Sequence, residues 1–404
     1  MRYSLRVALA CLLVPSGLLV PTAAAQGFPV GNRDLPLANV TATGSSVLSS
    51  VVHYPALVAG RNTPLLAQAG GWPVVVFLHG LGLSASDYTD IAGALASQGI
   101  ITVVQDTAIR QRDLQLDDAI ACFPSLQAEN QRVGAFFNGA LDMSRAAICG
   151  HSMGGGNTVR TLAADVGYRT GFCFAPWDGG AGWIPAAAPL VQTPLAIVHG
   201  EGDRVLQWQR FAQAYFDSAT AFQRIKIFYR LDETCDHGNV VSPGTTSAGM
   251  AVFARTSSLC VNWCKRYLED DADALEAVLG AEPRTEPLLV ELQVAVEEPD
   301  LWKLGNGQIG ATTTLRTAGS PGTAALFLAA GTASIPTPYG TLLLDPGTLV
   351  TFAVGAAGAT NTYSVPIPVP ALPALVGLTL HFQGFAGTVN GTFQLTPLLN
   401  LQLQ

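Results

Sequence analysis

Ser152, Asp203 and His237 follow one another along the chain in an order that can support nucleophilic chemistry. Ser152 lies in Gly150-His151-Ser152-Met153-Gly154-Gly155-Gly156, which contains the pattern G-x-S-x-G. Arg145 to Cys149 reads as a short buried strand and Asn157 to Ala164 as a helix. A serine on a sharp strand-to-helix turn holds its hydroxyl exposed above a sheet. The plainer alternative is a Gly-rich turn with an idle serine, and only partner residues decide between the two.

Pro194 to Val198 is a second buried-strand pattern, closed by His199-Gly200-Glu201-Gly202-Asp203. Asp203 therefore falls just past a strand end, where open α/β sheets carry their sites. Ile225 to Tyr229 reads as another strand, followed by the loop Thr234 to Asn239 that carries His237. A serine is a weak nucleophile until a base takes its proton, and histidine, with an ordinary pKa of about 6.5, can take and return it. A carboxylate fixes the imidazole tautomer. Asp203 has a competing use as a helix cap for Val205 onward. Asp178, Asp232 and Asp236 are rival acids, Asp236 the weakest because neighbouring side chains in an extended loop point apart. His53 and His381 lie far from any motif, and His151 and His199 read as packing or supporting groups.

Val74 to Leu78 is an apolar, β-branched run ending in His79-Gly80-Leu81-Gly82. In this arrangement the backbone N–H groups of Leu81 and Met153 point at a developing oxyanion. The segment from Phe174 to Pro194 is too short for a large lid, so bulky substrates would reach Ser152. It carries Trp177 and Trp183, both read as substrate contacts by stacking. No metal or cofactor is called for: no cysteine pair has C-x-x-C spacing.

These elements imply an α/β fold, a mostly parallel sheet flanked by helices. From Trp72 to Glu269 the chain resembles the bacterial cutinase and polyester-hydrolase group of the α/β-hydrolase superfamily. The resemblance rests on Leu95 to Val103 with Asp106-Thr107, on the elbow Gly150 to Gly156, and on Ala175-Pro176-Trp177-Asp178. It rests also on Glu201-Gly202-Asp203 and on Asn262 to Asp270. It implies an esterase with a shallow, open site. That family usually has an aromatic residue as the first oxyanion donor, where this chain has Leu81, and the loop Gly179 to Thr193 also differs.

Composition points to export. Residues 1–25 carry Arg2 and Arg6, an apolar stretch from Val7 to Val20 and the end Ala23-Ala24-Ala25, which reads as a signal peptide cut before Gln26. Pro15 and Pro21 interrupt that run, which disfavours a membrane anchor. Six cysteines remain after it, an even number that permits disulfides, although Cys260 and Cys264, one helical turn apart, do not suit each other. The formal charge of −8 disfavours nucleic acid and anionic membranes as partners.

From Gly305 to Gln404 the only acidic or basic residues are Arg316 and Asp345, and short apolar runs alternate with Gly/Pro turns. That reads as an all-β, sandwich-like module. The runs Ser364 to Pro368 and Pro373 to Leu378 resemble a C-terminal module recurrent in exported bacterial proteins. The expected organisation is a signal peptide (1–25), a catalytic domain (26–280), a connector (281–304) and the β module (305–404), with Leu288 to Val296 a candidate first strand of the module.

The reading is a secreted, monomeric serine ester hydrolase acting through an acyl-enzyme on carboxylic esters, polymer and lipid included. A peptidase or lipid-headgroup hydrolase of the same fold is one alternative. A surface-binding protein with a vestigial triad is another.

Overall fold

The structure is a computed structural model describing residues 27–404. The expected signal peptide lies outside the described residues. Among the described residues no helix is long and apolar enough to cross a membrane.

Ten strands form the main sheet. They are β1 (Val30–Ala38), β2 (Val47–Pro55), β3 (Gly60–Arg61), β4 (Trp72–Leu78), β5 (Ile101–Gln105), β6 (Leu141–His151), β7 (Gly171–Phe174), β8 (Leu195–Gly200), β9 (Ile225–Leu231) and β10 (Leu289–Val296). Their spatial order is β10-β9-β8-β7-β6-β4-β5-β2-β1-β3. The run from β5 through β4, β6, β7 and β8 to β9 is parallel, whereas β2, β1 and β10 add antiparallel pairings outside it.

The apolar runs predicted as strands are buried on both faces, as parallel strands under helices require. In β4, Val74, Val76 and Leu78 enter one core, while Val75 and Phe77 enter the other. Up to Leu268 the α-helices are α1 (Thr89–Ser97), α2 (Arg112–Gln131), α3 (Met153–Ala163), α4 (Trp183–Ala187), α5 (Ala212–Ser218) and α6 (Ser247–Leu268). This is an α/β-hydrolase arrangement. The expected final helix begins well before Asn262: Thr246 caps α6, its hydroxyl accepting from the Gly249 N–H.

The segment expected as a connector is structural throughout. It forms a short helix at Ala281–Thr285, then β10, then β11 (Asp300–Leu304). β10 is not a strand of the module; it pairs antiparallel with β9 and closes the main sheet. Alternation along Leu289–Val296 does not say which sheet the strand joins; pairing does.

Beyond it, β12 (Thr312–Ala318), β13 (Ser320–Ala329), β14 (Thr332–Thr337), β15 (Gly340–Leu344), β16 (Val350–Ala357), β17 (Thr362–Pro368), β18 (Thr379–Gly387) and β19 (Phe393–Gln402) form three antiparallel sheets. These are β11-β12-β17, β16-β13-β18-β19 and the hairpin β14-β15. Leu301, Leu315, Leu326, Phe382 and Leu401 form a separate core there. The two parts are joined by buried groups. Trp302 and Ala318 pack into the hydrolase core, and Asp300 accepts from Arg266 at 2.6 Å. Glu276 accepts from Trp302 at 2.9 Å and pairs with Arg316 at 2.9 Å.

The expectation of disulfides is not met: Cys122, Cys149, Cys173, Cys235, Cys260 and Cys264 are all free, buried thiols. Each sits in a packed core, where cysteine behaves as a small apolar side chain.

Candidate active site

Ser152 is the hinge between β6 and α3. It has φ 55° and ψ −115°, a backbone region that a non-glycine residue adopts only when its surroundings impose it. The surroundings are explicit. The Ser152 N–H donates to the Phe174 carbonyl at 3.0 Å, and the Ser152 carbonyl accepts from Trp177 at 2.9 Å. The glycines after it permit close packing: a Cβ on Gly154 would lie 2.1 Å from the Leu78 carbonyl oxygen, and one on Gly156 1.9 Å from that of Trp177. A larger residue at Gly154 would push α3 off β4, and one at Gly156 would push it off the loop carrying Trp177.

The turn opens into a cleft of about 500 Å³ lined by Gly80, Leu81, Leu83, His151, Ser152, Trp177, Val205, Leu206 and His237. Leu81 and Val205 are exposed at its rim. His237 Nδ1 lies 2.6 Å from Asp203 Oδ2. Asp203 also caps: its Oδ1 accepts from the N–H groups of Val205 and Leu206, each at 2.8 Å. The two readings of Asp203 are thus compatible, because one oxygen orients the carboxylate and leaves the other for the imidazole. Burial alone would raise this carboxyl. Hydrogen bonds from His199 and His237 outweigh it and hold Asp203 well below the usual carboxylate range.

Among the described residues the rival acids do not pair with His237; each accepts within its own turn through one oxygen. Asp178 accepts from the Gly180 N–H, Asp232 from Thr234, and Asp236 from the Gly238 and Asn239 N–H groups. Among the described residues, neither the Leu81 nor the Met153 backbone N–H finds an acceptor. Leu81, on the turn after β4, lines the cleft, and Met153, at the first position of α3, directly follows Ser152, which also lines it.

The two tryptophans separate. Trp177 lines the cleft. Trp183, read as a substrate contact from the sequence, does not line it: it is 5% exposed, packs on Gly156 and Gly179, and lies under the Arg160 guanidinium at 4.3 Å. Gly156 on α3 and Gly179 leave room that the indole fills, a packing demand invisible in the local sequence.

Sequence reasoning gave His151 and His199 only supporting roles and passed over Tyr88. His199 Nε2 lies 3.2 Å from Asp203 Oδ2. His151 bridges Tyr88 and the His237 backbone. The immediate neighbourhood of His151 to Ser152 was the one available signal. Cys149, Cys260 and Cys264 are the described residues whose ligand atoms cluster, within 4.8 Å, but they are sealed in the core and do not line the cleft.

Residues 41–290 match the family described as PET hydrolase-like. The chain is 22% identical to bis(hydroxyethyl) terephthalate hydrolase of Streptomyces coelicolor, over 60% of this chain and 69% of that protein. It is 25% identical to platelet-activating factor acetylhydrolase of Cavia porcellus, over 42% of this chain and 46% of the relative. To cutinase est2 of Thermobifida alba it is 22% identical, over 44% and 53%. The chain thus spans about half the length of the last two relatives.

Proposed function

Because the chain belongs to the PET hydrolase-like family and is a carboxylic-ester hydrolase, we propose that it cleaves esters by a Ser152-His237-Asp203 acyl-enzyme mechanism. The observation that carries this reading is the 2.6 Å contact between His237 Nδ1 and Asp203 at a cleft that Ser152 also lines.

In the first step Ser152 Oγ bonds to the ester carbonyl carbon while its proton passes to His237 Nε2. The carbonyl oxygen becomes an oxyanion and takes hydrogen bonds from the Leu81 and Met153 N–H groups. Loss of one such donor costs about 2.7–4 kcal/mol of barrier in comparable sites. Collapse breaks the bond to the alkoxy oxygen, which leaves as the alcohol with the proton from His237. Water then attacks the acyl carbon and gives a proton to His237; the bond from that carbon to Ser152 Oγ breaks, His237 returns the proton to Oγ, and the acid leaves. Ionised Asp203 holds the Nδ1–H tautomer and steadies the imidazolium throughout.

The substrate class proposed is a bulky or polymeric ester with an apolar acyl part. The open cleft, its exposed Leu81 and Val205 rim and the Trp177 face support it. We propose further that the protein is exported after cleavage before Gln26, and acts as a monomer. A fluorophosphonate probe tests the chemistry: it should label the wild-type chain at Ser152 and leave Ser152→Ala unlabelled and inactive. A panel of acetyl, long-chain acyl and aromatic-diacid esters tests the substrate class. Preference for the acetyl esters would turn the reading toward small acyl groups.

A further inference from the structure

We propose that Tyr88 and His151 form a positioning relay, in which the Tyr88 hydroxyl sets the His151 tautomer that anchors the His237 backbone beside Ser152. This rests on the proposed reading of His237 as general base.

Three hydrogen bonds run in series. The Gly80 N–H donates to Tyr88 Oη at 2.7 Å. Tyr88 Oη lies 2.9 Å from His151 Nδ1, and His151 Nε2 lies 2.8 Å from the His237 carbonyl oxygen. The polarity of the two ends is fixed by chemistry: an amide N–H only donates and a carbonyl only accepts. His151 Nε2 must therefore carry a hydrogen. Burial, the largest influence on this ring, pushes its pKa down to about 3, so the imidazole is neutral and Nδ1 is bare. The single Tyr88 hydrogen then goes to Nδ1 while its oxygen accepts from Gly80. Burial also raises the Tyr88 phenol, which keeps that hydrogen in place. The charged and titratable neighbours of His151 are His237, Asp203 and His199, and burial outweighs them all.

One arrangement alone satisfies every group. The opposite tautomer would aim the Nε2 lone pair at the His237 carbonyl at 2.8 Å and leave the Tyr88 hydrogen without its acceptor. Both side chains are immobilised, Tyr88 fully buried against Phe77 and His151 2% exposed. Each link adjoins a reacting group. Gly80 precedes Leu81, His151 precedes Ser152, and the far end is His237 itself. The His237 imidazole is thus held twice, by Asp203 at its side chain and by His151 at its own backbone. The His151 ring also packs on it, with centroids 4.6 Å apart. Tyr88 does not line the cleft, so its effect on turnover passes through its two hydrogen-bond partners, His151 and the Gly80 N–H, and a loss in Tyr88→Phe that disappears in the His151→Gln background assigns it to His151.

The test uses the full chain and a soluble aryl ester. Tyr88→Phe keeps the ring and removes only the O–H. Its kcat should drop on the order of 10–100-fold with KM unchanged, as expected when a reacting group is displaced without loss of substrate contacts. His151→Gln replaces the ring with an amide whose N–H needs no tautomer. In that background Tyr88→Phe should cost little more. Imidazole 15N NMR should show His151 as the Nε2–H tautomer in the wild type and as a mixture in Tyr88→Phe. An Nδ1–H tautomer in the wild type overturns the relay, as do equal losses from Tyr88→Phe in both backgrounds. If Tyr88→Phe fails to fold, the wild-type tautomer decides. Fluorophosphonate labelling of the same wild-type sample separates the two readings. Absence of label at Ser152 overturns the acyl-enzyme mechanism, and the NMR result still decides the tautomer.

Discussion

Asp203 holds His237 with one carboxylate oxygen and its own turn with the other: Oδ2 lies 2.6 Å from His237 Nδ1 while Oδ1 accepts from Val205 and Leu206. The acid is fixed before the imidazole reaches it. Asp203→Asn preserves the shape and presents either an amide oxygen or an amide N–H to Nδ1. The expected outcome is a folded chain with kcat lower by on the order of 10³–10⁴-fold, because the imidazole tautomer is no longer enforced. Steady-state kinetics on a soluble ester checks this. A silent Asp203→Asn with an inactive Asp178→Asn would move the acid to Asp178.

Trp177 and Trp183 should fail differently. Trp177→Ala removes a wall of the cleft, so KM for aromatic esters should rise while thermal stability stays near the wild type. Trp183→Ala opens a cavity beside Gly156 in the core and should cost about 3–5 kcal/mol of stability. Paired denaturation and kinetic measurements separate the effects. An equal KM change in both variants would return Trp183 to the substrate.

Acid should destabilise the chain in a defined window. Burial lowers His151 to about 3 and His53 to about 4, from an ordinary 6.5. Below about 6.5 the unfolded chain takes up protons at both positions and the folded chain does not. Stability is therefore full above about pH 6.5 and declines as pH falls, by about 1.4 kcal/mol per pH unit for each group until its folded value is reached. Asp203 has the opposite chemistry and the same direction: its depressed value adds stability above the ordinary carboxylate range, lost as pH falls further. His53 is buried with Nε2 unpartnered, and His53→Gln should flatten the slope between pH 6.5 and 4 by one proton. Urea unfolding across pH measures it; an unchanged slope would remove His53 from the account.

A chain ending at Leu304 should keep its turnover of a soluble ester, since Ser152, Asp203 and His237 all precede it. It should melt lower, because β11 loses its β12 partner, Glu276 loses Arg316, and Trp302 loses Ala318. Thermal melts and kinetics on both chains check the two halves. Lost turnover in a folded truncated chain would give the β module a part in the site, and the proposed division between catalytic domain and module would fall.

What the sequence determined by itself was local. The apolar runs at Val74 to Leu78 and Pro194 to Val198 could hardly be anything but buried strands, and a G-x-S-x-G between strand and helix has few other shapes. Chain order then put Asp203 and His237 at strand ends, because parallel strands must all finish on one rim. What only the tertiary structure decided depended on distant neighbours. The choice of Asp203 over Asp178, Asp232 and Asp236 lay in which carboxylate the fold set against the His237 ring, 2.6 Å from Nδ1. Trp183 went inward because Gly156 on α3 and Gly179 leave room for its indole. Strand β10 joined the main sheet because β9 offered an unpaired edge. Tyr88, whose local sequence has no catalytic pattern, reached His151 across 63 positions of chain. Periodicity and turn chemistry act within a few residues; hydrogen-bond partners and packing slots are set by whatever the fold brings alongside.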